Sequence, residues 1–155
     1  MGKLRILVFA AVLGATAFSV SAAGVPDLSH AIKPGVWEYV VTPHIQFGSM
    51  EVPSHTISNR KCVTRKQLNH SRNFVADGQG KCKIESIHYS GHVLTYTQKC
   101  AEGGGELTMH GRMRIDSPTS YHGTVDTAGT MSGQKVTGHT TLKAHRTGSC
   151  AGSGH

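Results

Sequence analysis

Several things are scarce or missing in this 155-residue chain, and each absence narrows what it can be. Aromatic residues make up only 6% of it, and nine Asp and Glu stand against sixteen Lys and Arg. No Cys-x-x-Cys pair occurs, which argues against a zinc ribbon or a thioredoxin-like redox site. No glycine-rich loop follows a strand-like run and opens a helix, so nucleotide chemistry has no support. Aspartate is confined to Asp27, Asp77, Asp116 and Asp126, mostly at expected turns, edges or the start of the chain. No Ser or Cys sits in a nucleophile elbow with a base and an orienting group in a known pattern. The chain is therefore expected not to be an enzyme, and no cofactor is expected.

What is present begins with an export signal. Lys3 and Arg5 precede an apolar run from Ile6 to Phe18, and Ser21-Ala22-Ala23 supplies the small residues of a cleavage site. The run is shorter than the roughly 20 residues of a membrane span, and no later segment is apolar enough to cross. Residues 1–23 are read as a secretory signal peptide, leaving 24–155 as a single disulfide-bearing β domain of 132 residues, periplasmic or secreted. Its formal charge falls from +7 to +5 when Lys3 and Arg5 are removed, and all eleven histidines remain.

The exported part has no long helical period. Short alternating segments are separated by Gly, Pro, Ser and Asn, the pattern of an all-β antiparallel meander. Trp37, Tyr39 and Val41 share one face of a first strand after Lys33-Pro34-Gly35, and a second strand is expected near Ser54–Cys62. Thr64-Arg65-Lys66-Gln67 is a capping-box pattern that opens one short helix, to about Arg72. Asp77-Gly78-Gln79-Gly80 reads as a loop, and residues 82–90 and 92–100 as a hairpin about Ser90-Gly91-His92. In Glu106–Ile115, Leu107, Met109, Met113 and Ile115 alternate with Glu106, Thr108, His110, Arg112 and Arg114, so one face is core and the other wet. Tyr121, Gly123 and Val125, then Val136, Gly138, Thr140, Leu142 and Ala144, continue the inward row, and the tail after Cys150 is expected to fray. Leu107, Met113, Ile115, Val125 and Leu142 are predicted to be buried. Gly111, Gly123 and Gly138 fall at inward positions. Either they mark a strongly curled sheet or partly closed barrel, with Trp37 or Tyr39 over them, or they are incidental to a glycine-rich chain.

All four cysteines lie after residue 23, and an even number in a small exported domain favours two disulfides over metal ligation. Cys82 and Cys100 are equidistant from Gly91, so a three-residue connection sets them face to face at roughly 4.5–5.5 Å between Cα atoms. That leaves Cys62 to pair with Cys150.

Lys33-Pro34-Gly35-Val36-Trp37-Glu38, Cys62-Val63-Thr64, Cys82-Lys83 and the Ser90-Gly91 hairpin together resemble a known family. It is that of small exported bacterial proteins catalogued only as a domain of unknown function. The likeness runs from about Ile32 to Cys150, nearly all of the exported part. It implies compartment and fold, and it transfers no activity.

The remaining candidates concern binding. His110, Arg112, Arg114, His122, Lys135, His139, Lys143 and His145 are expected to point outward from the last three strands, against Glu106 and Asp126. Such a face could hold an anionic lipid or glycan. It lacks the interleaved aromatics of single-strand nucleic-acid binders, and no sequence-specific nucleic acid is expected. The bland reading is a solvated surface of mixed charge. The histidine-rich composition also admits metal: His88 and His92 would share a face near the hairpin tip, and thioethers such as Met109 and Met113 suit Cu(I). Those methionines sit on the apolar face and His110 on the wet one, so one strand does not present both to one ion. The leading reading is a non-enzymatic binding or structural domain with a small ligand in the curled sheet. The alternative is a His/Met metal-binding (Cu or Zn) periplasmic protein.

Overall fold

The structure, a computed structural model, describes residues 24–75 and 81–151. Residues 1–23, read above as a signal peptide, the expected Asp77–Gly80 loop and the last four residues of the tail lie outside the described residues. Ten elements follow in order: β1 (Gly35–Phe47), β2 (Met50–Val52), β3 (Ile57–Val63), α1 (Arg65–Asn69), α2 (Ser71–Val75), β4 (Cys82–Ser90), β5 (Val93–Glu102), β6 (Gly105–Ser117), β7 (Ser120–Met131) and β8 (Gln134–Gly148). The strands form one antiparallel sheet in the order β2-β1-β8-β7-β6-β5-β4, with β3 also on β1. β4 to β8 are a plain meander, and the last strand returns to pair with the first along most of its length.

The second strand expected near Ser54–Cys62 is two pieces. β2 pairs with the end of β1 and β3 with its beginning. Pro53 separates them, and the Ser54 hydroxyl donates to the Pro43 carbonyl, 2.6 Å, across the gap. The helix after β3 is also double. Thr64 and Gln67 form the capping box expected of them, Thr64 N donating to Gln67 Oε1 at 2.8 Å. His70 then breaks the helical dihedrals before α2 begins.

One face of the sheet carries the whole inward row. Tyr39, Ala144, Tyr121 and Ile115 lie side by side across β1, β8, β7 and β6, and Val41, Leu142, Gly123, Met113 and Leu94 form the next row. A flat sheet at about 4.8 Å per strand would spread β3 to β5 over about 24 Å. Instead, side chains from β3, β1, β8, β7, β6 and β5 line one common cavity, so the sheet is strongly curled. It does not close into a barrel: among the described residues β4 pairs only with β5, and β2 and β3 only with β1. Arg72 of α2 reaches the free edge and donates to the Ile84 carbonyl at 2.8 Å.

The core is concentrated at one end of the concave face. Trp37 (0% exposed), Leu94, Met113, Ile115, Tyr121 and Ala144 from the sheet meet Leu28, Ile32, Val63 and Leu68. Residues 28–33 lie across this end, held by Leu28 N to Leu68 O (2.9 Å), Lys33 N to Pro118 O (2.8 Å) and Trp37 Nε1 to Lys33 O (3.0 Å). Trp37 packs on Tyr121 at 5.2 Å between ring centroids, and Phe74 of α2 meets the same ring edge-on at 5.8 Å. Of the residues predicted to be buried, Leu107, Met113 and Ile115 are, whereas Val125 and Leu142 face inward but stay partly exposed. They border open space instead of a second layer.

The aromatic over the inward glycines is also not the one expected. A side chain at Gly111 would overlap the ring of Tyr96, its cross-strand neighbour, so neither Trp37 nor Tyr39 fills that position. At Gly123 the obstruction is the adjacent strand itself, the Arg112 carbonyl and Met113. At Gly138 the nearest atoms, His44 O and Ile45 Cγ1, are 3.4 Å away, and the missing side chain leaves room.

The structure pairs Cys82 with Cys100 (Cα atoms 4.0 Å apart) and Cys62 with Cys150 (5.5 Å). The hairpin reaches its pairing by a different route from simple symmetry. Its turn has two residues, Gly91 and His92, at φ 55° and 64°, as a type I′ hairpin turn requires. That register alone would oppose Cys82 to Ala101. A bulge at Glu85 shifts it by one and restores Cys82 to Cys100.

Candidate functional site

Two cavities lie on the concave face, the second of them bordering the packed end. The larger, about 450 Å³, is walled by Ile45, Leu107, Met109, Val125 and Val136, with Cys82–Cys100 and Val75 at its side. Its few polar side chains are Tyr96, Gln98, Thr127 and Thr140. Gln98 is 7% exposed, and its side-chain nitrogen lies 3.5 Å from Cys100 Sγ. This size and an apolar wall with a few convergent polar groups are those of a small-molecule pocket.

The second cavity, about 340 Å³, shares Val75 and Tyr96 with the first and continues it along the sheet. Its wall includes Tyr39, Tyr121, Val41, Met113 and Leu142, with Asn59 and Lys61 on β3. Burial raises the hydroxyl pKa of Tyr39, Tyr96 and Tyr121, most of all at Tyr121, where the Tyr39 hydroxyl adds to the effect. All three stay protonated at neutral pH, as hydrogen-bond donors. The open edge prolongs this wall. Met50 (64% exposed), Val52 (41%) and Ile57 (55%) oppose Phe47, Ile45 and Val41 of β1, on the inward side.

The convex face carries the cationic candidates. His110, Arg112, Arg114, His122, Lys135, His139, Lys143 and His145 are all exposed there, and Arg114, His122 and Lys143 form one row across β6, β7 and β8. The carboxylates are not mere bystanders. His122 Nδ1 lies 2.7 Å from Asp116 Oδ2, and His139 Nδ1 lies 2.6 Å from Asp126 Oδ1. Lys99 reaches both Glu85 (3.2 Å) and Glu106 (3.8 Å). Half of the outward histidines therefore already have an anionic partner, and the face is of mixed charge.

The metal candidates lie at the β4–β5 hairpin. His88 is exposed on β4 opposite Thr95, while His92 sits in the turn with left-handed backbone. Among the described residues no group of three or more His, Cys, Asp or Glu is arranged to hold a metal ion. Sequence reasoning missed the residues that shape the cavities, Tyr96 and Gln98 above all. Both were visible as inward positions of β5, a tyrosine facing a glycine and an amide in an apolar row.

A curled, open antiparallel sheet with a packed end and an apolar, tyrosine-bordered hollow defines the class of this protein. Residues 32–150 match the family described as Protein of unknown function (DUF3617), and the chain belongs to it. No curated protein and no solved structure matches the chain. Among the described residues no helix is long and apolar enough to cross a membrane.

Proposed function

We propose that this chain is an exported, non-enzymatic domain that binds a small, predominantly apolar ligand in its concave hollow. The observation that carries this reading is the 450 Å³ cavity, whose wall is mostly apolar, with Tyr96, Gln98, Thr127 and Thr140 as its polar side chains. Apolar wall left in contact with water gains free energy when a ligand displaces that water, at about 25 cal/mol per Å². The two disulfides and the leader-like residues 1–23 support an oxidising, extracytoplasmic setting. The mixed-charge convex face supports solubility better than a dedicated anion site, since exposed ion pairs are worth little individually.

Fluorescence titration with N-phenyl-1-naphthylamine tests the reading. The purified protein should enhance its emission saturably, and Met109→Trp, which fills the cavity, should weaken binding at least tenfold. Non-saturable enhancement, or equal binding by Met109→Trp, would overturn it.

A further inference from the structure

Resting on that reading, we infer that the ligand is a single-chain amphiphile of the fatty-acid type, its carboxylate among the tyrosine hydroxyls and its tail in the larger cavity. The two cavities adjoin, since Val75 and Tyr96 line both. They differ in chemistry. The larger is a mostly hydrocarbon hollow between β1 and β5, whereas the second collects Tyr39, Tyr96 and Tyr121, with the Asn59 amide and the Lys61 ammonium on its open side.

Tyr39 and Tyr121 hydroxyls interact with each other. The Tyr96 hydroxyl interacts electrostatically with Tyr121 but makes no side-chain hydrogen bond among the described residues, and its ring is packed over Gly111 and borders both cavities. A protonated phenol at the cavity wall offers a hydrogen-bond donor. A carboxylate accepts such bonds, and at the β3 edge it keeps part of its hydration, so its charge is not fully desolvated. The tail then runs past Val75 toward Met109, Val125 and Val136, and Ile57 borders the head. An aromatic disc or a compact sugar would leave one cavity empty; a flexible chain fills both.

Competition against bound N-phenyl-1-naphthylamine tests this, with carboxylates of eight to sixteen carbons and hexadecanol as arms. Palmitate should displace the probe, affinity should rise with chain length, and hexadecanol should compete less well. Tyr96→Phe, which keeps the ring over Gly111, should lower the affinity for palmitate relative to that for the probe about tenfold, as loss of a hydrogen bond to a charged group does. In direct calorimetric titration, which needs no bound probe, Met109→Trp should flatten the dependence on chain length. Failure of palmitate to displace the probe, equal competition by hexadecanol, or unchanged palmitate affinity relative to the probe in Tyr96→Phe would overturn the assignment and leave the apolar cavity standing. Failure of the probe to bind the parent protein would remove both.

Discussion

The two ends of the concave face are built from the same strands in the same register, yet one is a core and the other a hollow. At the packed end Trp37, Tyr121 and Ile115 are covered by residues 28–33 and by Leu68 of α1. At the other, Val125 and Met109 point to the same side and line a cavity with only Val75 of α2 at its side. A sheet face becomes a core only where a second layer lies on it. The comparison teaches that inward alternation marks the side a residue faces, and that the covering segment decides whether it is buried. Each end also has its own disulfide: Cys62–Cys150 beside Gly35 and Val63, and Cys82–Cys100 in the cavity wall.

The largest effect should come from the bridges. In the loop-entropy picture, replacing both Cys62 and Cys150 with Ser costs about 4.5 kcal/mol, and replacing Cys82 and Cys100 costs about 3 kcal/mol. Thermal melts should therefore rank the packed-end variant below the cavity-end variant, and the reverse order would show that the hollow end carries more of the stability. Next come single core residues. Trp37→Ala or Leu68→Ala should cost about 2–5 kcal/mol in denaturant unfolding, whereas Val125→Ala, at a partly exposed wall, should cost about 1 kcal/mol. Equal losses would mean that the larger cavity is filled in solution by a part of the chain.

Tyr121 joins the two ends, and alkaline pH sharpens its role. Its hydroxyl pKa, with those of Tyr39 and Tyr96, is raised by burial, so above pH 10 the unfolded chain releases protons that the native chain retains. Stability should be intact below pH 10 and fall as pH rises beyond it. Melting temperatures between pH 9 and 11.5 should decline less steeply for Tyr121→Phe than for the parent.

The smallest effect is expected on the convex face. Arg112, Arg114 and Lys143 replaced together by Ala should leave co-sedimentation with anionic vesicles at pH 7.5 and 5.5 within about twofold of the parent at 0.15 M salt, where exposed charges are screened beyond about 8 Å. A clear loss at pH 5.5 would restore that face as a site.

Much of the architecture could be read from local pattern. Alternation from Glu106 to Ile115 and from Val136 to Ala144 sets the face of each residue, because the strand period is two whatever the fold around it. Thr64 and Gln67 cap a helix through bonds three residues apart, and Gly91 marks a tight turn through its left-handed backbone. These features depend on neighbours in the chain. The division of that inward row into buried and open positions depends on where residues 28–33 and the two short helices come to rest, which is decided by contacts distant in sequence. The same holds for the bulge at Glu85 that aligns Cys82 with Cys100, for Tyr96 lying over Gly111, and for Asp116 and Asp126 meeting His122 and His139. Local periodicity thus determined the strands and their faces, while the curl of the sheet and the reach of its cover decided that one end is solid and the other hollow.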